Sequence, residues 1–518
     1  MRHSGRHSVW LIAAGLLVAV QGAVLVHCAV RHSPVVDETT RIMAGIRILT
    51  EQRFDTEIGN PPLIKTLAAI PAWVASGMTT AAVPIVPMNG LDSVKFTALG
   101  RLCVIPFALL GGVVCYRWAA ELYGAPGGLM ALSLWTTCPL ILTQGQIVGN
   151  DVAAASATVA ACYVFHRWVS SERWSTAALF GMLLGMALLT KFVCVAIPAI
   201  VAVAWALSRS HWGLKLFSLR HAAQLLTMLF IAVGVVHAGY GFQAGNRSPM
   251  EVLPVDFLQG ISAVRSELSR GQPSFLGGQW RFGGWWYYYL YALSVKLPLG
   301  TLAIMATAAM SAGPRELKSR SGDWYVGLCG LGMLTFISAV GSIQMLRYVI
   351  PALPFLFVWS GRLVSGRATS WSSVFGLTMA IFSGASSLAT VPHVGSYFNE
   401  LVEGPEAGAG LLAADSLDCG ENLYFIREWL ERNPQQSEVF LAYDSPIDPG
   451  LVGIRYRPLR PATGSSNGHT SLEPGVYLVA VSFLASRQFP QLNSRVPRAS
   501  IARTVYVFSV EERELPSR

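Results

Sequence analysis

Asp37 and Glu38 stand side by side just beyond the apolar run Val9–Val30. A carboxylate near a low-dielectric boundary gains proton affinity and can act as a general base on a hydroxyl. A solvated loop charge pair is the plainer reading of the two acids taken alone. Some twenty residues on, Asn60-Pro61-Pro62-Leu63-Ile64-Lys65 fixes the backbone, blocks helix at the prolines and forces a turn. Four cations, Arg101, Lys191, Lys296 and Arg347, fall in or near the ends of apolar runs, where charge is costly. Facing a phosphate, each would be repaid through charge-assisted hydrogen bonds. Snorkelling toward headgroups accounts for any one of them, and less well for four on the same expected side. Asp151 adds another acid at the start of an apolar run, where helix capping by Asn150 or Asp151 is the alternative. Gly283-Gly284-Trp285-Trp286-Tyr287-Tyr288-Tyr289 concentrates aromatics as an interfacial belt would, or as a platform for stacking a sugar or isoprenoid.

Lipid is the solvent that positions these groups. Hydrophobic residues make up 53% of the 518 and charged residues only 13%, about half the usual share in soluble proteins, which excludes a soluble enzyme. Eleven spans are expected, at about 9–30, 95–118, 125–146, 150–168, 176–191, 193–208, 221–242, 285–311, 324–342, 346–363 and 371–391. The first is too long for the core of a cleavable signal peptide. With the N-terminus inside, every inner loop carries a basic residue, among them Arg117, Arg167, Arg209, Lys215, Arg315, Lys318, Arg320 and Arg367. The net charge of +9 therefore reflects membrane orientation rather than nucleic-acid binding.

The expected architecture is an α-helical polytopic membrane part over 1–392, with outer loops at about 31–94 and 242–284. Pro61–Gly77 reads as an interfacial helix. An extracytoplasmic α/β tail over 393–518 has helical spacing at Glu421–Asn433 and strands at Val439–Tyr443, Val476–Val481 and Val505–Phe508. Gly464–Gly468 reads as a loop. The eight cysteines show no CxxC or His-rich partner and read as small buried thiols, with neither a disulfide framework nor a zinc site.

In order along the chain, these segments resemble the protein O-mannosyltransferase and aminoarabinose transferase superfamily, glycosyltransferases of the GT-C fold. Asp37-Glu38 with Asn60-Pro61-Pro62-Leu63 is similar to its acidic pair and HPPL-type element. Phe275-Leu276-Gly277 through Trp285-Trp286-Tyr287 to Lys296-Leu297-Pro298 resembles its FLxG, GWWYYY and KxP segment, and Arg347-Tyr348-Val349-Ile350-Pro351 its RYxLP helix start. In the tail, Ser396-Tyr397-Phe398-Asn399-Glu400-Leu401 with Gly404-Pro405 resembles the YFNEL and GP block. Asp415-Ser416-Leu417-Asp418-Cys419-Gly420 resembles DSNLDWGQDL, with Cys419 in place of Trp and Glu421-Asn422 in place of Gln-Asp.

The resemblance implies a polyprenyl-phosphate sugar as donor, an acceptor protein, lipid or glycan outside the cytoplasm, and direct displacement at the sugar C1 with inversion. It gives Asp37 the role of general base, Glu38 that of acceptor holder and Asp151 that of second acid, although Gly149-Asn150-Asp151 departs from the family's TTD. Arg101, in Gly100-Arg101-Leu102, would contact donor phosphate, joined by Lys191, Lys296 and Arg347; Asn60, Pro61, Lys65, Trp285, Trp286 and Tyr287 would form substrate loops. No cofactor is implied and nothing in the sequence requires a metal; related oligosaccharyl transferases use one, so a divalent ion stays open. Two rivals, a lipid-sugar flippase and a catalytically silent assembly subunit, are disfavoured by acids clustered at outer helix ends, by the absence of a visible repeat and by the presence of Asp37.

Overall fold

A computed structural model describes residues 2–77, 91–211, 218–242, 252–311, 322–365, 370–412, 416–434, 438–459 and 472–511. The expected loop Gly464–Gly468, Asp415 and the inner-loop residues Lys215, Arg315, Lys318, Arg320 and Arg367 lie outside these ranges. The described chain is mostly helical, and each apolar run folds as helix. Among the described residues, four helices are long and apolar enough to cross a membrane: residues 8–31 of α1 (Arg2–Arg31), 95–123 of α4 (Leu91–Tyr123), α10 (Leu219–Gly239) and α14 (Asp323–Val340). Between α4 and α10 come α5 (Ala125–Thr136) and α6 (Pro139–Gly145), bent by 59° where Pro139 interrupts the ladder, then α7 (Asp151–Ser171), α8 (Trp174–Thr190) and α9 (Ile197–His211).

Segment 31–94, expected as an outer loop, holds among its described residues α2 (Glu38–Glu51) and α3 (Pro62–Ala75). The predicted interfacial helix at Pro61–Gly77 is α3. The second segment expected as an outer loop, 242–284, holds α11 (Val255–Arg270) and a hairpin of β1 (Pro273–Leu276) and β2 (Gln279–Phe282) among its described residues. Gly283 and Gly284 follow with φ of 77° and 62°, and a Cβ on Gly284 would sit 2.2 Å from Gln344 Cδ. The glycine pair lets Gln344 close on the chain: its amide accepts from the Trp285 N–H at 2.9 Å and donates to the Trp285 carbonyl at 2.6 Å.

The apolar run at 285–311 breaks at Leu297-Pro298 into α12 (Tyr288–Lys296) and α13 (Leu299–Met310). A break in apolar surroundings frees backbone groups that must find partners. Asn399 Nδ2 donates to the carbonyls of Ser294 and Leu297 at 2.6 and 3.0 Å, and the Glu400 carboxylate accepts from the Leu299 N–H at 3.1 Å. The YFNEL-like block thus seals the KxP break, and Glu400 sits at the positive end of α13. After α14 the chain runs through a 3₁₀ turn at Leu346–Ala352 into α15 (Leu353–Ser360) and α16 (Ser370–Leu388).

The tail contains α17 (Leu423–Arg432) and a five-stranded sheet of order β4-β3-β5-β7-β6: β3 (Val439–Ala442), β4 (Arg457–Pro458), β5 (Gly475–Ala480), β6 (Ala499–Ile501) and β7 (Val505–Val510). Its β3 pairs are parallel and its β7 pairs antiparallel. Alternation buries both faces: Val476 and Leu478 pack against Leu423 and Ile426 of α17, while Tyr477 and Val479 pack against Phe489 and Leu492. The Asp418 carboxylate fastens the preceding loop to the sheet, accepting from Tyr443 Oη at 2.7 Å, Thr504 Oγ1 at 2.6 Å and Asn422 Nδ2 at 2.8 Å.

Glu421 lies beside that acid. Burial first, and the charge of Asp418 second, push its carboxyl well above the usual range. A folded-state pKa raised above the unfolded value stabilises the fold at low pH and loses that contribution as pH rises through the interval between the two. Glu421→Gln is therefore expected to raise the melting temperature at neutral pH, by a margin that widens with pH and vanishes in acid. Thermal unfolding in detergent from pH 4 to 8 checks this, and a margin independent of pH would refute it.

Candidate active site

Asp37 ends the loop after α1 and precedes α2 with a φ of 76°, a left-handed backbone that is costly for a side chain with a Cβ. The loop is held from both sides. From the tail, Ser33 N–H and Val36 N–H donate to the carbonyls of Glu421 and Cys419 at 2.9 and 3.2 Å, and Ser33 Oγ donates to the Gly420 carbonyl at 3.0 Å. From α4, Arg101 donates through Nε and Nη2 to the Glu38 carboxylate at 2.9 and 2.6 Å. Its remaining N–H groups go to the carbonyls of Ala29, His32 and Ser33 at 2.8–2.9 Å. All five donors of the guanidinium are spent.

This geometry leaves two of the expected roles without a free atom. Arg101, 1% exposed, has no N–H left for a phosphate, and Glu38, fully buried, accepts from Val35 N–H, Val148 N–H and Arg101, with nothing left to hold an acceptor. Their pair is the bolt that fixes the Asp37 loop.

A cavity of about 670 Å³ gathers Asp37, Asn60, Asp151, Lys191 and Arg347, so five of the residues singled out in the sequence meet in one hollow. Its polar lining adds Arg41, Glu57 and Asn150, and its apolar lining includes Val193, Val195, Phe336, Ile337 and Val340. Asp151 opens α7 and is ion-paired with Lys191, which ends α8. Asn150 does not cap α7; its amide donates to the Thr190 carbonyl at 2.7 Å, tying the end of α8 to the start of α7. Lys191 Nζ lies 4.3 Å from the centroid of the Tyr348 ring, and the Arg347 guanidinium 5.9 Å from the same ring. Arg347 Nη2 also approaches Asp37 Oδ2 at 3.8 Å.

Other expected site residues point elsewhere. Lys296 donates to the carbonyls of Gly395 and Ser416 and sits over the Phe398 ring, and among these site residues it shares only a small second hollow with Arg347. Lys65 donates to the carbonyls of Thr56 and Glu57 at 3.1 and 3.0 Å, and Pro61 starts α3. Trp285 is buried against Gln344, Trp286 is 78% exposed and Tyr287 lies partly open; the member of that aromatic run which lines the cavity is Tyr289. None of these expected site residues lines the larger cavity. Lys296 and Lys65 find their partners in backbone carbonyls instead of a ligand.

Two site residues escaped the sequence reading. Arg41, 7% exposed, bridges Asp37 and Glu57, and Glu57 lines the cavity with its carboxyl pushed upward by burial, against the opposing pull of Arg41 and Lys65. The Asp37–Arg41 spacing is that of an i,i+4 ion pair, a signal visible only once a helix is expected there. Among the described residues no group of three or more His, Cys, Asp or Glu is arranged to hold a metal ion.

Residues 95–237 match the family model described as dolichyl-phosphate-mannose-protein mannosyltransferase. The chain is similar in fold to ArnT from Cupriavidus metallidurans. The apo crystal structure aligns at a TM-score of 0.52 and 14% identity over 97% of this chain and 98% of that one. The structure bound to undecaprenyl phosphate aligns at 0.51 and 14% over 99% and 100%. No curated protein sequence matches the chain. The resemblance read from the motifs is borne out in the fold of the chain and, over residues 95–237, in its sequence.

Proposed function

We propose, from a chain that folds as the GT-C glycosyltransferases do, that it transfers a sugar from a polyprenyl-phosphate carrier to a hydroxyl acceptor outside the cytoplasm of a bacterial cell. The observation that carries this reading is one cavity in which Asp37 stands beside Arg347 and the Lys191–Asp151 pair, against an apolar wall. Asp37 Oδ2 faces two guanidinium groups, whereas Oδ1 accepts no hydrogen bond from the described residues and takes the acceptor proton. The oxygen so released attacks the sugar C1 from the face opposite the carrier, the C1–O bond to phosphate breaks, and configuration inverts. Arg347 and Lys191 stabilise the charge that grows on the leaving phosphate, and Asp151 keeps Lys191 in place. The apolar wall receives the isoprenoid, as the undecaprenyl phosphate bound to ArnT supports. Eleven spans, an inner N-terminus and an extracytoplasmic tail complete the reading, with residues 1–392 as the catalytic part and 393–518 as the tail that props the Asp37 loop.

Purified protein in lipid nanodiscs, offered labelled polyprenyl-phosphate hexoses and pentoses with a mixed panel of acceptors, is expected to release polyprenyl phosphate from one donor. Release from none would overturn the reading in favour of a silent assembly subunit.

A further inference from the structure

We propose that Arg41 is a positioning residue for the transfer step, holding the Asp37 carboxylate by one oxygen, and that Glu57 and Asn60 hold Arg41 in turn. This rests on the transfer reading above and deepens it. The Arg41 guanidinium is fixed at three points: Nη1 donates to the Val148 carbonyl at 2.8 Å, Nε to Glu57 Oε1 at 3.0 Å and Nη2 to Asp37 Oδ2 at 3.2 Å. Glu57 Oε1 also accepts from Asn60 Nδ2 at 2.9 Å. A continuous line of hydrogen bonds therefore runs from the Asn60-Pro61-Pro62 turn through Glu57 and Arg41 to Asp37.

The line does what proximity alone does not. Asp37 is 40% exposed in its side chain and sits in a left-handed backbone, so without a tether its carboxylate would sample several rotamers. Arg41 lies one helical turn on, with its own N–H bonded to the Asp37 carbonyl at 2.9 Å, so helix and side chain fix the same residue. A planar fork with donors on both edges can reach Glu57 and Asp37 at once, which a lysine cannot do with the same rigidity. The charges that face Asp37 are Arg41 on α2, Glu57 on the following loop, Asp151 at the head of α7, Lys191 after α8 and Arg347 before α15; Arg265 and Glu267 on α11 line the same cavity. Removing Arg41 takes away the nearest cation and frees the rotamer together.

Steady-state release of polyprenyl phosphate as a function of pH tests this in nanodiscs, with wild type, Arg41→Gln, Arg41→Lys, Glu57→Ala and Asp37→Asn compared. Arg41→Gln is expected to lower kcat about 10- to 100-fold, the scale of a small misplacement of a catalytic group. Its KM for donor should stay within about threefold of wild type, because uniform binding is untouched. The acid limb of its rate profile should move to higher pH, as loss of a cation beside the base requires. Arg41→Lys should recover part of kcat and most of the pH shift, and Glu57→Ala should act in the same direction more weakly. Arg41→Gln with kcat within twofold and an unmoved acid limb overturns the proposal, as does a loss confined to KM. Should Arg41→Gln fail to fold, Arg41→Lys and Glu57→Ala decide by the same readouts. Equal turnover by Asp37→Asn and wild type would instead sink the transfer reading itself, so the two failures are distinguishable.

Discussion

Asparagine in place of Asp37 is expected to slow sugar transfer by about 10²–10⁴-fold, or about 3–5 kcal/mol of barrier, with the affinity for polyprenyl phosphate nearly unchanged. The substitution keeps the volume of the side chain and an oxygen for Arg41 to hold, so the Asp37 loop and its pins to Arg101 and the tail stay in place. What it removes is the basic site: the amide that takes the place of Oδ1 has no lone pair for the acceptor proton. Loss of rate without loss of carrier binding separates a base from a structural carboxylate, since Arg347 and Lys191 remain to meet the phosphate. Single-turnover release of polyprenyl phosphate, paired with retention of a labelled carrier, gives both quantities from one preparation. Full-rate turnover would take the base role from Asp37.

The sequence disclosed which charges were expensive, and the structure disclosed who meets that expense. Arg101 and Arg347 look alike in a one-letter string, each a guanidinium beside an apolar run. Arg101 is satisfied by three carbonyls and Glu38, whereas Arg347 lines the cavity. Lys191 and Lys296 differ in the same way, one paired with an acid in the cavity and the other donating to the backbone of the tail. A lipid-buried cation is stabilised by any dense set of oxygens, and carbonyls freed at helix breaks leave no trace in residue type. Strands β3, β5 and β7 were legible because short continuous runs of β-branched, aromatic and other apolar residues fit a sheet packed on both faces. Helix α2 was not, because the segment is polar at its start and its burial comes from packing on α3. With α2 unseen, Arg41 had no face to share with Asp37, and the link to Glu57 was invisible.

The largest expected effect on stability belongs to the bolt behind the site. Arg101→Met should cost about 3–5 kcal/mol, the range for breaking a buried ion pair from one side. The methionine fills much of the space but leaves the buried Glu38 side chain with only the N–H groups of Val35 and Val148, and it strands the carbonyls of Ala29, His32 and Ser33. Lysine is a poor repair, since its three donors cannot reproduce five in a fixed plane. Pairing Arg101→Met with Glu38→Gln should recover a good part of the loss, because the uncompensated charge, rather than the missing attraction, dominates the cost. Thermal inactivation in nanodiscs measures the four-way cycle, and carrier retention by the surviving folded protein supplies the discriminating readout. If Arg101 serves the loop, stability falls and the folded fraction still holds polyprenyl phosphate as wild type does. Unchanged stability with weakened carrier binding would return Arg101 to the phosphate and require the Asp37 loop to be held by the tail alone, through Ser33, Val36 and their partners at 419–421.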